Sequence, residues 1–315
     1  MNSKRSIKDY LVLYAKGFSM GAADVVPGVS GGTMAFILGI YEELLDSIRA
    51  FLSPSAFMLV VKFKLKEAFN TLPWPFLLAL FAGIMTAIFT LAQFLEWMLN
   101  THPELLWAFF FGLVTASIIT VTKRVKIWNA AAIVAVIIGA AVAWVIVGMV
   151  PADMSHNPLF LFFSGFIAIC AMILPGISGS FILVLLGQYE YILGAVNDRD
   201  FVTLAIVAAG AVVGLGTFAQ VLSWLFKRYH DITVAVLIGF MAGSLRKIWP
   251  WKETLSYVTD RHGELVPVEQ INVLPPGLTP EVMLAIGLAI VGFALVLVIE
   301  YVGSRKAEVA EPAHA

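Results

Sequence analysis

Two short segments rich in proline, glycine and serine carry residue types suited to holding an anion. The first runs from Val26 to Thr33 (Val-Pro-Gly-Val-Ser-Gly-Gly-Thr) and the second from Leu174 to Ser180 (Leu-Pro-Gly-Ile-Ser-Gly-Ser). Each is expected to interrupt one helix and begin another, whose first main-chain amides have no acceptor within the helix. Those amides, the positive end of the helix dipole and the hydroxyls favour a phosphate or a similar anion.

The predicted substrate-binding residues are the small and hydroxyl-bearing members of the two segments: Gly28, Ser30, Gly31, Gly32, Thr33, Gly176, Ser178, Gly179 and Ser180. Small side chains would let an oxyanion approach the main chain. The competing interpretation is that proline and glycine form tight turns and that the serines cap helices. For a single copy that interpretation is the stronger one, whereas two copies that face each other favour the anion site.

Glu42 and Glu190 occupy equivalent positions downstream of the two segments, each directly after a tyrosine. A carboxylate inside a membrane is costly and is therefore a functional hypothesis by default. One role is a protonatable group that couples transport to a proton gradient. The equally weighted alternative is that each carboxylate lies solvated at a helix end.

Three further charged residues are candidates for electrostatic roles. Asp24 and Lys16 precede the first segment and have no charged counterpart in the second copy, so either one could mark asymmetry between the copies. Arg246, with the adjacent Lys247, lies near Trp249 and Trp251 at the end of an apolar stretch. An interfacial belt with snorkelling cations explains it, and a collector of lipid phosphates is the functional alternative.

The elements that position these residues occur twice in the chain. The first segment and the downstream Leu38-Gly39-Ile40-Tyr41-Glu42 recur at an offset of 148, and Ala82-Gly83, Gln93 and Trp97 recur at an offset of 127. Similarity between unrelated apolar helices would not match Pro, Gly, Ser, Gln, Trp and Glu in order. The sequence therefore predicts an internal duplication.

Hydrophobic stretches define the predicted fold, an all-α polytopic membrane protein with an inverted repeat and a small extracytoplasmic β-hairpin within 250–278. The first repeat, 1–151, comprises a helical hairpin at 8–48, expected to be re-entrant, and spans 73–99, 105–121 and 128–150. The second repeat, 152–315, comprises a hairpin at 158–194 and spans 201–226, 232–249 and 281–302. Because three spans follow each hairpin, the second repeat enters from the opposite side. Inverted repeats with broken helices are typical of transporters.

Composition excludes a soluble protein. Of 315 residues, 60% are hydrophobic and 13% charged, whereas a soluble domain carries about 25% charged residues. The net charge of −1 by itself gives no information about partners, and no nucleic-acid partner is expected. The single Cys170 excludes an internal disulfide, and no cofactor or metal site is expected. Membrane lipids are expected partners, and a homo-oligomer is left open.

The positive charges predict the orientation in a bacterial cytoplasmic (inner) membrane. Lys and Arg number fourteen on the face that would hold both termini and five on the other, which places both termini in the cytoplasm. The count does not separate re-entrant hairpins from full crossings. The sequence contains no HExxH or Walker A motif, and its five histidines are scattered in or near loops, so an enzyme is not expected.

The duplicated Pro-Gly-x-Ser-Gly segments, together with Asp24 and Thr33 at the edges of the first, resemble those of the PopT family of polyprenyl-phosphate transporters. The resemblance covers nearly the whole chain and implies a flippase that returns undecaprenyl phosphate from the outer to the inner leaflet for reuse in cell wall biogenesis. The residues alone support an anion with an apolar partner. The alternative is a small-anion transporter or channel that uses the same helix starts. A lateral opening between helices would favour the lipid.

Overall fold

The computed structural model describes residues 5–26, 29–151, 155–259, 265–275 and 277–310, which form helices and one two-stranded sheet. The helices of the first half are α1 (Ile7–Val25), α2 (Gly31–Ile37), α3 (Tyr41–Phe51), α4 (Pro54–Val61), α5 (Leu65–Thr71), α6 (Trp74–Thr101), α7 (Pro103–Thr122) and α8 (Ala130–Val147). The helices of the second half are α9 (Pro158–Ile173), α10 (Gly179–Leu185), α11 (Tyr189–Asn197), α12 (Phe201–Arg228), α13 (His230–Ser244) and α14 (Pro280–Ala310).

Five helices of the described chain are long and apolar enough to cross a membrane, which makes this a multi-pass membrane protein. They are α6, α7, α8, α12 and the Pro280–Tyr301 part of α14. Five of the six predicted spans are thus confirmed as helices of spanning length. The sixth, 232–249, is shorter than predicted, because α13 ends at Ser244 and residues 245–248 form turns.

Each predicted hairpin contains a second break that the sequence analysis did not identify. Two continuous arms were expected, but the second arm is divided at 38–40 in the first copy and at 186–188 in the second. Gly39 and Gly187 adopt positive φ angles of 70° and 64° there, a conformation that glycine adopts without steric strain. In the second copy, α10 and α11 are bent by 106° relative to each other.

Four helix pairs form the main packing: α1 with α6, α9 with α12, α7 with α14, and α8 with α13. Glycines allow close approach at their crossings. A Cβ atom on Gly17 would overlap the carbonyl oxygen of Leu80 in the α1–α6 pair, and one on Gly165 would overlap that of Val207 in the α9–α12 pair. Both glycines and both carbonyls are related by the sequence offsets of 148 and 127.

The other two pairs show the same correspondence. Gly112 of α7 abuts the main chain of Ala289 in α14, and Gly239 of α13 abuts that of Val136 in α8. Since Gly112 and Gly239 are repeat equivalents, α8 and α14 are matched at an offset of 153, from 136 to 289. The sequence comparison did not detect this third block, since apolar residues dominate both helices.

The core lies where α3 packs against α12. Tyr41 is 2% exposed and forms edge-to-face contacts with Phe36 (centroids 5.1 Å apart) and Phe226 (5.8 Å). Such pairs contribute about 0.5–1.5 kcal/mol beyond the area that they bury. This aromatic cluster fixes α3 directly after the break at 38–40.

The predicted β-hairpin is confirmed as strands β1 (Lys252–Thr259) and β2 (Leu265–Asn272), which pair antiparallel with Lys252 opposite Asn272. The indole of Trp249 donates to the carbonyl of Val273 (2.9 Å), which ties the base of the hairpin to the end of α13. The first-half loop at 50–72 contains α4 and α5, two short helices absent from the second half.

Candidate functional site

The two Pro-Gly-x-Ser-Gly segments meet in the folded chain. The Ser30 hydroxyl lies within hydrogen-bonding distance of the carbonyl oxygens of Met172 (3.2 Å) and Leu174 (3.4 Å). In return, the Gly176 amide donates to the Thr33 hydroxyl oxygen (2.8 Å). Residues more than 140 positions apart exchange these bonds. The tertiary structure therefore places the two segments, the first turn and the second turn, in direct contact.

Tyr41 adds a third bond between the copies. Its hydroxyl donates to the Ile173 carbonyl (3.0 Å) at the end of α9, where helix carbonyls have no intrahelical partner. The predicted residue Gly28 lies outside the described residues. Ser30 and Thr33 are each 1% exposed and Ser178 is 8% exposed, whereas Ser180 is exposed. The first turn is therefore closed in this conformation and the second is accessible at Ser180.

The side chain of Asp24, a residue of α1, lies at the N-terminus of α2. Its carboxylate accepts a hydrogen bond from the Gly31 amide (2.7 Å), and the Ser30 hydroxyl oxygen accepts one from the Gly32 amide (3.1 Å). The protein's own carboxylate thus takes the donor that an external anion would use in the first turn. This role was not predicted, although Asp24 was selected as a charge that the second copy lacks.

The second turn has a different arrangement. Met172 stands at the position equivalent to Asp24 and supplies no side-chain acceptor to α10. The hydroxyls of Ser178 and Ser180 lie 2.8 Å apart, and Ser178 makes no capping hydrogen bond. Within the described part of the chain, no side chain accepts from the amides of Gly179 and Ser180. These amides, and the one hydroxyl hydrogen that the serine pair does not use internally, remain available as donors.

Two cationic side chains bind carbonyl oxygens at the C-terminal end of α2. The Lys16 ammonium donates to the Leu38 carbonyl (2.8 Å), and the Arg124 guanidinium donates to the Ile37 carbonyl (3.4 Å). Positive charge at a helix C-terminus is stabilising. Lys16 and Asp24 therefore act at opposite ends of the same short helix and do not pair with each other.

The two predicted carboxylates lie in first turns. Glu42 and Glu190 are exposed at the starts of α3 and α11, directly after the breaks that contain Gly39 and Gly187. An oxygen of Glu42 lies 3.6 Å from Nε2 of His230, whose Nδ1 lies 3.2 Å from Asp231. His230 thus joins α3 to the start of α13.

Arg246 has a local partner. Its guanidinium donates to the Trp144 carbonyl (3.0 Å) near the end of α8 and lies 4.9 Å from the centroid of the Trp144 ring. Its neighbour Lys247 instead extends over the ring of Phe181 (4.6 Å), in the first turn of α10. Lys252, which directly follows Trp251, was not among the charged residues selected from the sequence.

Two cavities lie between helices, and neither is lined by residues of the first or second turn. One, of about 540 Å³, lies among α3, α4, α5 and α12 and is lined by Asp46, Arg49, Ser53, Thr71, Lys227 and neighbouring residues. The other, of about 340 Å³, is an apolar groove between α7 and α14. Among the residues described, no group of three or more His, Cys, Asp or Glu side chains is placed to hold a metal ion.

Comparison with known proteins gives two kinds of match. The model of the VCA0040-like family, described as undecaprenyl phosphate translocase-like, matches residues 20–266. A polyprenyl-phosphate transporter of Vibrio cholerae serotype O1 (strain ATCC 39315 / El Tor Inaba N16961) is 47% identical over 267 residues, 85% of this chain and 86% of that protein. A polyprenyl-phosphate transporter of Staphylococcus aureus (strain NCTC 8325 / PS 47) is 30% identical over 257 residues, 75% of this chain and 84% of that protein. No solved structure matches the chain.

Proposed function

Because the chain belongs to the undecaprenyl phosphate translocase-like family, we propose that it transports undecaprenyl phosphate from the outer to the inner leaflet of the bacterial cytoplasmic membrane. The transported lipid would be the carrier that is recycled for cell wall biogenesis. The phosphate would be held at the paired Pro-Gly-x-Ser-Gly turns while the prenyl chain stays among the lipid tails. A transporter needs no chemical change in the lipid, and no catalytic residue is proposed.

The contact between the two turns is the observation that carries this proposal. Ser30 and Thr33 from one copy bond to the main chain of the other, so the two turns lie side by side, next to the unpaired donors at the start of α10. Ser180 is exposed beside Ser178, which gives a phosphate access to hydroxyls and amides of the second turn. Main-chain amides and hydroxyls are the donors that bind phosphate at helix starts.

Asp24 gives the two turns different tasks in this mechanism. Its carboxylate satisfies Gly31 and repels a second anion from the first turn. A phosphate would therefore bind first at the second turn. Transfer to the first turn would require Asp24 to release the Gly31 amide, which links headgroup position to the conformation of α2.

The proposed architecture is an inverted repeat whose two broken hairpins are re-entrant, with both termini in the cytoplasm. The matched glycine contacts support the repeat, because Gly17 and Gly165 abut equivalent carbonyls, as do Gly112 and Gly239. Cross-pairing of α7 with α14 and of α13 with α8 would follow if the halves were related by a pseudo-two-fold axis. The headgroup site would then lie where the two copies meet.

Coupling to protons is proposed to use Glu42 and Glu190. Both carboxylates follow a break in the hairpin, where a change in the bend would move them. The 3.6 Å approach of Glu42 to His230 supports this role, since histidine is the side chain that ordinarily changes charge near neutral pH. Protonation of His230 would strengthen its attraction to the Glu42 carboxylate, and protonation of Glu42 would weaken it. Either event would change the contact between α3 and α13.

Reconstitution in vesicles that carry labelled undecaprenyl phosphate tests the proposed function. We expect leaflet exchange with the wild-type protein and its loss in Ser30→Leu and Ser178→Leu, because leucine would fill the turns and remove a donor. Ser180→Leu should have the same effect, and its exposed position tolerates a large side chain. Thr217→Leu is the matched control, since this exposed hydroxyl bonds only within α12.

Size-exclusion profiles and thermal unfolding in detergent would show that each variant is folded. Exchange at the wild-type rate in folded Ser178→Leu and Ser180→Leu would remove the second turn from the mechanism. Parallel vesicles loaded with radiolabelled inorganic phosphate separate the lipid transporter from a small-anion transporter. Release of phosphate without lipid exchange would favour the small anion.

A further inference from the structure

Two lysines converge at the base of the β-hairpin. Lys247 lies in the turn after α13, and Lys252 is the first residue of β1. The Lys252 ammonium donates to the main-chain carbonyl of Lys247, so the two residues are in contact. The Lys252 ammonium lies 4.7 Å from the centroid of the Trp107 ring, and that of Lys247 lies 4.6 Å from the Phe181 centroid. Both ammonium groups therefore lie over the faces of aromatic rings.

Neither lysine has a carboxylate partner among the residues that the structure describes. The ion pairs there involve other cations, such as Arg5 with Glu43 and Lys227 with Asp46. Burial and the neighbouring charge of Lys247 lower the pKa of the Lys252 ammonium to about 7. Two poorly hydrated ammonium groups without a counter-charge are an unfavourable arrangement, and the lowered pKa means that Lys252 is only partly charged near neutral pH. An anionic ligand would supply the missing charge.

An apolar groove begins next to these cations. It has a volume of about 340 Å³ and is lined by α7, α14 and the Trp249–Trp251 segment: Ala108, Phe111, Gly112, Thr115, Trp249, Pro250, Trp251, Ala285, Ile286, Ala289, Ile290 and Phe293. The hydroxyl of Thr115 donates to the Phe111 carbonyl, so it offers no free donor to the groove. Ile290 is 63% exposed, which leaves the groove open along its side.

Continuity of the chain joins the groove to the lysines. Trp107, beneath Lys252, immediately precedes the groove residue Ala108, and Lys252 immediately follows the groove residue Trp251. The Lys247 ammonium lies over the ring of Phe181, which is adjacent in sequence to Ser180 of the second turn. The cations thus lie between an apolar groove and the accessible turn.

The geometry points to a second lipid-phosphate site, in which Lys247 and Lys252 bind the phosphate and the groove between α7 and α14 holds the adjoining part of the hydrocarbon chain. The identity of the lipid rests on the proposed function. The charge complementarity of the lysines and the apolar lining of the groove are independent of the proposed function. A headgroup bound here would adjoin the second turn, so the site would present the lipid to Ser178 and Ser180. The groove volume lies within the range of about 300–1,000 Å³ that is usual for small-molecule sites.

Binding of labelled geranylgeranyl monophosphate to the full chain in detergent tests the lysines. We expect the double substitution Lys247→Gln and Lys252→Gln to raise the Kd by about 10- to 100-fold, since a hydrogen bond to a charged group contributes about 1.5–3 kcal/mol. The double substitution to arginine should stay within about threefold of wild type. Lys126→Gln, which removes an exposed lysine elsewhere, is the matched control.

A second pair of variants tests the groove. Ile290→Trp would fill it, whereas Val291→Trp places the same side chain at a neighbouring exposed position that does not line it. We expect Ile290→Trp to weaken binding of geranylgeranyl monophosphate about tenfold and Val291→Trp to leave it unchanged. Inorganic phosphate should bind much more weakly than the lipid to wild type and be insensitive to Ile290→Trp. The alcohol geranylgeraniol should be insensitive to the glutamine substitutions.

The outcomes separate this site from the proposed transport. Wild-type affinity in the folded glutamine double variant, with arginine and control variants also unchanged, would overturn the site even if Ser178→Leu abolished leaflet exchange. Lysine-dependent binding in a protein that shows no leaflet exchange would support the site and contradict transport. Equal affinity for inorganic and lipid phosphate, with no effect of Ile290→Trp, would overturn the role of the groove.

Discussion

At the scale of single residues, the main finding is that the two similar turns differ in which side chains bond to their main-chain amides and hydroxyls. In the first, Asp24 accepts from Gly31, while Lys16 and Arg124 bond to carbonyls at the other end of α2. In the second, Met172 replaces the carboxylate and the hydroxyls of Ser178 and Ser180 bond to each other. A carboxylate and a phosphate use the same donors, so Asp24 is expected to act as an internal competitor of the headgroup.

Replacement of Asp24 by asparagine tests this competition. Asparagine retains an oxygen that can accept from Gly31 but removes the negative charge. We expect Asp24→Asn to tighten binding of geranylgeranyl monophosphate about tenfold, because a like charge no longer opposes the phosphate. The comparison is a binding titration in detergent beside Asp198→Asn, which neutralises an exposed carboxylate outside the site. Unchanged or weaker binding by Asp24→Asn would contradict the competition.

At the scale of elements, close helix crossings hold the broken hairpins in place. α1 packs on α6 and α9 packs on α12 through glycines that abut main-chain carbonyls. In lipid, helices gain little from hydrophobic burial against one another, so close packing of small residues contributes more. The short helices α2 and α10 thereby lie against α1 and α9, and glycines with positive φ angles form the breaks at Gly39 and Gly187.

Alanine substitutions at two glycines test the packing. A Cβ atom on Gly210 would overlap the Phe162 carbonyl in the α9–α12 pair, whereas one on Gly287 of α14 would meet open space. We expect Gly210→Ala to lower the free energy of unfolding by about 1–3 kcal/mol, as overpacked sites do. Gly287→Ala should be neutral or stabilising by up to about 1 kcal/mol, because alanine favours the helix. Chemical unfolding in detergent measures both, and equal effects would refute the packing argument.

At the scale of the whole molecule, the two halves complete each other. Helices α7 and α8 of the first half pack mainly on α14 and α13 of the second, and the two turns bond across the halves. Neither half alone therefore forms the proposed headgroup site. The carboxylates Glu42 and Glu190 lie at the starts of helices on the two halves, where a relative movement of the halves would change their surroundings.

Neutral substitutions at these carboxylates test proton coupling. We expect leaflet exchange by the wild-type protein to vary between pH 6 and 8, a range chosen around the ordinary pKa of histidine, about 6.5, and the variation to be reduced in Glu42→Gln and Glu190→Gln. Exchange assays in vesicles across this range provide the measurement. Glu67→Gln, which removes an exposed carboxylate paired with Lys64, is the control. A wild-type pH profile in both variants would contradict the coupling.

Much of the fold followed from the sequence, because the bilayer imposes its thickness on every apolar helix. Five spans, the β-hairpin and the family relationship were predicted correctly. The short α13 and the breaks at Gly39 and Gly187 were not. A helix that ends five residues early has almost the same hydrophobicity as one that continues, and a glycine within an apolar arm does not by itself specify a positive φ angle.

The sequence by itself determined which residues could hold an anion, since Pro, Gly and Ser recur in order at a constant offset. Only the tertiary structure decided how those residues are used. Whether the amide of Gly31 is free depends on Asp24 seven positions earlier, and whether Lys247 has a partner depends on what the fold brings near it. Hydrogen bonding and charge neutralisation act over a few ångströms in space, and separation along the chain does not specify that distance.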